Sequence, residues 1–226
     1  MNLEYYTTVS NKQLQTGGYY REKIDFFLKN LRSIKKEKIK IDILDLACNE
    51  GTLSEKYKEF GNVYGVDINK YAVDESIRKG IDARLGDVLE IQKVFDGRKF
   101  DVIIAGDIIE HIFDTDFFLE NIKLSLNENG MLLLSTPNIV SLGRRLMAVF
   151  GVNPYCEYSA EANGINVGHI RYYSIKNLKD QFFKKGLIIK SLETDTVNLP
   201  VNILNYYMSK YFPGLGREIL VAAILK

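Results

Sequence analysis

Three acidic residues stand where short apolar runs of the sequence end, and their positions suggest ligand chemistry. Asp45 interrupts the run of residues 41–47 near its carboxyl end, while Asp67 and Asp87 close the next two runs. If the runs are parallel strands, the acids meet at the edge of the sheet where ligands bind. A carboxylate at that edge accepts hydrogen bonds from ribose hydroxyls. The spacing therefore predicts a site for a ligand that contains a ribose.

The turn after the first run argues against a nicotinamide dinucleotide as that ligand. A dinucleotide-binding turn requires three glycines, but Ala47, Asn49 and Thr52 occupy the corresponding positions. Gly51 still permits a sharp turn, and Thr52 or Ser54 is a candidate N-cap of the helix that follows. Because Ala is small and Asn tolerates a left-handed backbone, we expect a tight turn without room for a pyrophosphate.

The two histidines of the chain, His111 and His169, are the candidate general bases. His169 lies on a predicted loop before a helix and is the preferred base, whereas His111 is either catalytic or a hydrogen-bonded structural residue. If a helix starts at Asp107, then Asp107, Glu110 and His111 share one face. Together with His169 they form a candidate site for a divalent metal. The favoured interpretation of Asp107 and its neighbours is an N-cap and a pocket wall.

Composition favours one globular domain. The 226 residues include 46% hydrophobic side chains, which is enough for one sizeable core, and we expect a single domain over residues 1–226. The formal net charge of +1 gives no basic field, so the sequence does not predict a nucleic-acid partner.

Cysteine usage and hydropathy indicate the compartment. Cys48 and Cys156 lie far apart and form no Cys-x-x-Cys motif, so we expect free thiols in a reducing environment. The N-terminal residues lack the features of a signal peptide, and no run of about 18 apolar residues occurs, so a transmembrane segment is not predicted. The protein is therefore expected to be cytoplasmic.

Strand and helix patterns alternate along most of the chain, which is typical of a doubly wound parallel α/β sheet. The predicted strands cover residues 41–47, 63–67, 81–85, 100–105, 131–136, 187–196 and 218–226. The predicted helices cover residues 19–31, 52–60, 69–78, 115–126, 139–150 and 175–185.

Three segments fall outside this alternation. Residues 1–38 are predicted to form an N-terminal arm and helix, and residues 138–168 and 197–216 are predicted to form a lid and acceptor segments over the site. Arg171 follows the first of the two lid segments. It is a candidate cation for an anionic acceptor, with a structural salt bridge as the alternative.

The motif Asp45-Leu46-Ala47-Cys48-Asn49-Glu50-Gly51 resembles the first motif of the class I S-adenosylmethionine-dependent methyltransferases, and the resemblance extends from about residue 19 to 226. It implies a Rossmann-like sheet of seven strands, the last antiparallel, and the cofactor S-adenosylmethionine with S-adenosylhomocysteine as product. The implied roles are the methionine-binding turn for residues 45–51, ribose binding for Asp67, adenine packing for Ile68 and adenine hydrogen bonding for Asp87. By the same resemblance, the cofactor-binding residues are Asp45, Ala47, Cys48, Asn49, Gly51, Asp67, Ile68, Asp87, Val88 and Asp107.

Residues 107–111, 135–138 and 168–174 resemble one branch of this family, which includes ubiquinone-pathway O-methyltransferases and bacterial enzymes of glycan pathways. The resemblance implies methylation of an oxygen on a small acceptor such as a glycan or glycan precursor, with His169 or His111 as base. The alternatives are an N-methyltransferase, a quinone O-methyltransferase and a non-catalytic cofactor-binding partner subunit. A divalent metal is a further alternative within the branch, with Asp107, Glu110, His111 and His169 as candidate ligands.

Overall fold

The computed structural model describes residues 21–155, 168–197 and 202–226. Its strands are β1 Ile41–Leu46, β2 Gly61–Asp67, β3 Asp82–Leu85, β4 Phe100–Gly106, β5 Leu126–Pro137, β6 Leu187–Thr194 and β7 Glu218–Leu225. Its α-helices are α1 Arg21–Lys35, α2 Ser54–Tyr57, α3 Lys70–Arg78, α4 Ile91–Val94, α5 Thr115–Ser125, α6 Leu142–Val149, α7 Ile175–Lys184 and α8 Asn202–Tyr211. Short 3-10 helices cover Val88–Glu90, Ile109–His111 and Pro213–Leu215.

The strands form one seven-stranded sheet in the order β3-β2-β1-β4-β5-β7-β6. The pairs from β3 to β5 are parallel, and β7 runs antiparallel to both β5 and β6. The predicted Rossmann-like fold with an antiparallel last strand is therefore confirmed. Because β1 to β5 are parallel, their carboxyl ends meet at one edge of the sheet.

Apolar side chains cover both faces of the sheet, as the continuous apolar runs require. In β1, Ile43 belongs to the core on one face and Leu44 to the core on the other. Helix α1 packs Phe27 against the first face, whereas α5 and α7 pack against the second. Because these helices cover the two faces of the sheet, the edge formed by the carboxyl ends of the strands is left for the site.

Several predicted boundaries near the first turn are wrong. The helix predicted over residues 52–60 is the short α2, and its N-cap is Leu53, whose side chain makes no capping hydrogen bond. Ser54 does not cap the helix because its hydroxyl donates to Asp45. β2 begins at Gly61, two residues before the predicted start, and a Cβ atom there would lie 1.9 Å from the carbonyl oxygen of Ile41. In contrast, the predicted start of the next helix at Asn69 is its N-cap, whose side chain accepts a hydrogen bond from the amide of Tyr71.

Later boundaries also differ from the prediction. β5 begins at Leu126, five residues before the predicted strand, and its register with β4 shifts between Phe100 and Val102. Part of the predicted lid segment 197–216 is the helix α8. Residues 1–20 of the arm, residues 156–167 with Cys156, and residues 198–201 lie outside the described residues. Within the described ranges, the helices are all too short or too polar to cross a membrane.

Candidate active site

The turn between β1 and α2 takes a left-handed backbone at three alternate residues. The φ angles are 54° at Ala47, 49° at Asn49 and 71° at Gly51. A left-handed conformation costs a non-glycine residue about 1–2 kcal/mol, so the turn holds a strained path that glycines would adopt freely. Strain of this kind is typical of ligand-binding turns.

The Asp67 carboxylate ties this turn to the start of α3. One of its oxygens accepts from the amide of Asn49 at 2.9 Å, and the other accepts from the amide of Asn69 at 2.8 Å. Burial raises the pKa of Asp67, and the backbone hydrogen bonds oppose that rise. Each oxygen keeps a further lone pair, so the carboxylate can accept two hydroxyl groups from a ligand.

An exposed apolar surface lies next to this carboxylate. Ile68 is 60% exposed, which is unusual for isoleucine, while Val88 is buried. Asp87, at the end of β3, accepts from the amide of Leu89 at 2.8 Å. The amide of Gly86 donates to the carbonyl of Asp67 at 3.0 Å, which holds the ends of β2 and β3 together. The Asp67 carboxylate suits the hydroxyls of a ribose. The exposed Ile68 and the Asp87 carboxylate suit an apolar nucleobase that carries an amino group.

Two residues of the predicted motif point into the protein instead. Asp45 is only 7% exposed and accepts from the Ser54 hydroxyl at 2.5 Å, so it supports the turn from below. The Cys48 side chain is buried with its sulfur 3.8 Å from the Ser76 hydroxyl, and burial raises the pKa of its thiol. The backbone of Cys48 is also engaged, because its amide donates to the carbonyl of Val66 at 3.1 Å and its carbonyl accepts from the amide of Gly51 at 3.0 Å.

Burial of Asp45 makes the stability of the protein depend on pH. Burial raises the pKa of Asp45 to about 7 in the folded state, from 3.8. The folded state thus holds this proton more tightly than the unfolded state, and the stability gained below pH 4 is lost as the pH rises to 7. The free energy of unfolding of the wild type, relative to Asp45→Asn, should therefore fall by about 4 kcal/mol between pH 4 and pH 7. Urea denaturation of both proteins across this range measures the difference, and a constant difference would contradict the prediction.

Asp107, directly after β4, belongs to a partly buried ion cluster whose cation, Lys23, is 3% exposed. Its carboxylate pairs with Lys23 of α1 and accepts from the Ser135 hydroxyl at 2.6 Å, and Lys23 also lies 3.1 Å from Glu218. Burial alone would raise the pKa of Asp107, but the Lys23 charge holds it well below its usual range. Burial and the Asp107 charge raise the pKa of Glu218. Lys23 therefore faces one ionised carboxylate and one that tends to stay protonated.

The predicted helix from Asp107 through His111 is not formed. Asp107 has a φ of 52°, and only Ile109–His111 form a 3-10 turn. Since the left-handed residue turns the chain, the Asp107 carboxylate points to Lys23 and does not share a face with Glu110 and His111. The prediction that Asp107 caps a helix or joins those residues as a metal ligand is therefore wrong.

Glu110, His111 and His169 do come together. Their candidate ligand atoms all lie within 4.8 Å of one another, and the rings of the two histidines have centroids 4.8 Å apart. The main chain fixes this arrangement, because the amides of Ile170 and Arg171 both donate to the carbonyl of Glu110. The His111 Nδ1 atom lies 3.1 Å from the carbonyl of Gly168 and donates to it.

The Glu110 carboxylate is nearly inaccessible, at 1% exposure. Its Oε2 atom accepts from the Thr136 hydroxyl at 3.0 Å, whereas Oε1 has no hydrogen-bond partner among the described residues and lies 3.9 Å from His169 Nε2. Burial and the Asp107 charge raise the pKa of Glu110 to about 8. Burial and the neighbouring His111 lower the pKa of His169 to about 4, so His169 is neutral at pH 7. A neutral imidazole can accept a proton or bind a metal.

A concavity opens beside these residues. Its lining is formed by Pro137, Ile139, Arg144, His169, Arg171 and Tyr172. The predicted residues His169 and Arg171 are joined there by Arg144 of α6. Lys23 and Thr136 also support the site, through Asp107 and Glu110 respectively. No sequence motif marks either residue, since Lys23 lies within a helix and Thr136 within a strand. Their contacts arise only from long-range packing.

Residues 11–192 match the family model described as methyltransferase domain. Curated relatives include the ubiquinone biosynthesis O-methyltransferase of Pelagibacter ubique, 33% identical over 53% of this chain and 51% of the relative. The mitochondrial ubiquinone biosynthesis O-methyltransferase of Homo sapiens is 30% identical over 48% of this chain and 32% of the relative. The chain thus spans about half or less of the length of the curated relatives it matches.

Solved structures share the fold at low sequence identity. A methyltransferase from Clostridium acetobutylicum that depends on S-adenosylmethionine superposes with a TM-score of 0.66 at 17% identity, covering 97% of both chains. The magnesium protoporphyrin IX methyltransferase of Synechocystis, with bound SAH, superposes with a TM-score of 0.61 at 13% identity, covering 99% of this chain and 97% of the other.

Proposed function

Because this chain belongs to the class I S-adenosylmethionine-dependent methyltransferase family, we propose that it transfers the cofactor's methyl group to an oxygen of a small acceptor. The observation that carries this proposal is the buried Glu110 carboxylate beside two histidines, at the sheet edge that also bears Asp67 and Asp87. A glycan precursor is the proposed acceptor. A phenolic quinone precursor is the second candidate, favoured by the names of the curated relatives.

S-adenosylmethionine is the family's cofactor, and the residues at the strand ends suit it. Asp67 would accept both ribose hydroxyls, Ile68 would cover one face of the adenine, and Asp87 would accept from the adenine amino group. The left-handed turn around Asn49 would hold the methionine moiety through its backbone. When bound, the cofactor supplies an electrophilic methyl group on a positively charged sulfur.

The chain's own task is to orient the acceptor and remove its proton. Methyl transfer is an in-line displacement, so the hydroxyl must point at the methyl carbon as it loses its proton. His169 lines the concavity and its pKa of about 4 keeps the ring neutral, so the imidazole can take that proton. His111, whose Nδ1 donates to Gly168, keeps its Nε2 as the alternative acceptor.

A divalent metal is the second candidate for the same step, favoured by the unpartnered Oε1 of Glu110. Glu110, His111 and His169 would hold the ion, and this mixed oxygen and nitrogen donor set is common for divalent metals. A bound cation would lower the pKa of the acceptor hydroxyl. Asp107 is excluded from this set because its carboxylate pairs with Lys23.

Calorimetry with S-adenosylmethionine tests the cofactor site. We expect Asp67→Ala to weaken binding about 10–100-fold, because the two lost hydrogen bonds each contribute about 0.5–1.5 kcal/mol net. Asp74→Ala, at an exposed carboxylate of α3 paired with Lys70, is the control and should change binding less than twofold. No binding to the wild type at millimolar cofactor would contradict the proposed function.

A further inference from the structure

Two arginines of the concavity carry positive charge that no described carboxylate balances. Arg144 Nη1 donates to the carbonyl of Pro154 at 2.6 Å. Arg171 donates to the carbonyls of Phe113 and Ile170 and stacks over the Phe113 ring at 5.0 Å. All of these partners are neutral, so among the described side chains both guanidinium groups keep their full charge.

The Glu110 carboxylate beside the histidines does not face the concavity. Glu110 is 1% exposed and lies behind the histidines, where Thr136 binds it. Some cations elsewhere in the described chain do have acidic partners, such as Lys29 with Glu193 and Arg217 with Asp195. Two guanidinium groups that line one concavity without a described acidic partner produce a local positive potential that attracts an anion.

The geometry of Arg144 suits recognition of a planar or tetrahedral anion. Since Nη1 is held by Pro154, the Nε and Nη2 edge of the guanidinium has no hydrogen-bond partner among the described residues. That edge presents two parallel N–H groups, the arrangement that binds carboxylate and phosphate oxygens in pairs. The Arg144 charge also contributes to lowering the pKa of His169, which indicates that the two side chains are neighbours.

We propose that the acceptor carries a carboxylate or phosphate group close to the hydroxyl that is methylated, and that Arg144 selects this group, with Arg171 adding charge. The inference rests on the proposed function, since His169 beside Arg144 marks where the hydroxyl reacts. It narrows the acceptor class to acidic hydroxy compounds, whether phenolic acids or sugar phosphates.

Arg145, the adjacent residue, is a matched control for charge. Its Nε donates to the carbonyl of Val140 at 2.5 Å and its Nη2 to that of Gly214 at 3.3 Å, and it is not part of the concavity lining. Replacing Arg145 by Gln therefore removes the same charge from the same helix without removing the proposed contact.

The test measures binding of matched acidic and neutral compounds to protein saturated with S-adenosylhomocysteine. The pairs are 3,4-dihydroxybenzoate against 3,4-dihydroxybenzamide, and glucose 6-phosphate against glucose. In the wild type and in Arg145→Gln, we expect calorimetry to show at least tenfold tighter binding of the acidic member of one pair. Arg144→Gln should abolish that preference, while Arg144→Lys should restore part of it. The pair that shows this preference identifies whether the bound group is a carboxylate or a phosphate.

Two outcomes would overturn the proposal: no acidic preference in either pair, or equal losses in Arg144→Gln and Arg145→Gln. Product formation from S-adenosylmethionine, followed separately, distinguishes this failure from failure of the proposed function. Selective binding without methylation of any compound would count against methyl transfer and leave the anion site supported. Methylation without a preference for the acidic compounds would support methyl transfer and count against the anion site.

Discussion

The variant His169→Ala should lower the turnover of methyl transfer by about two to four orders of magnitude, the range expected for loss of a general base. The reason is positional, because His169 lines the concavity and is neutral at pH 7. Product formation with a fixed acceptor measures the effect. The affinity for S-adenosylmethionine should change less than twofold, since His169 lies apart from Asp67 and Asp87.

Chelation, together with variants of His111 and Glu110, distinguishes base catalysis by His169 from metal assistance. If His169 acts alone, chelation should leave wild-type turnover unchanged and His111→Ala should retain most activity. If the three residues hold a metal, chelation should abolish turnover, added metal should restore it, and Glu110→Gln should lose as much activity as His169→Ala. Full turnover of His169→Ala would contradict both mechanisms.

Replacing Lys23 by Met should reduce the free energy of unfolding by about 2–4 kcal/mol, somewhat less than for a fully buried pair. Lys23 is 3% exposed and is the cation that compensates the Asp107 carboxylate, which is 32% exposed, next to Glu218. Removing one partner of a buried pair leaves the other charge without compensation, which is far more costly than losing a surface pair. Urea denaturation at neutral pH measures the loss.

The same helix provides the control for this prediction. Lys29 pairs with Glu193 at 2.8 Å, with side chains 69% and 46% exposed. Lys29→Met removes an identical charge from α1 but should cost less than about 1 kcal/mol, because water screens exposed pairs. Equal losses for the two variants would show that burial of the Lys23 cluster does not determine its contribution.

The strands along the chain and the acids at their ends could be predicted from the sequence because both depend on short-range patterns, whereas the antiparallel last strand is expected from the family resemblance. Apolar runs of four to seven residues mark the buried strands, and an acid directly after a run must lie at the sheet edge. Asp67 and Asp87 are therefore found at that edge. The meeting of His111 and His169 follows as well, since both flank the same predicted site.

The features that could not be predicted from the sequence depend on a single backbone angle or on contacts between residues far apart in the chain. Whether Asp107 continues into a helix or turns away is decided by its positive φ, which neighbouring residue types do not specify for an aspartate. Similarly, Asp45 lies in the core because Ser54 satisfies it, and Lys23 reaches Asp107 because α1 packs across the sheet. None of these contacts has a local pattern.

The position of β7 between β5 and β6 also has a consequence for synthesis on the ribosome. Strands β1 to β5 can pair with one another as they emerge, but β6 has no neighbour in the sheet except β7, which comes later in the chain. Until β7 arrives, β6 presents unpaired backbone groups, and Lys23 lacks its contact with Glu218. We therefore expect the nascent chain to be most prone to aggregation, and most in need of a chaperone, during the interval between β6 and β7.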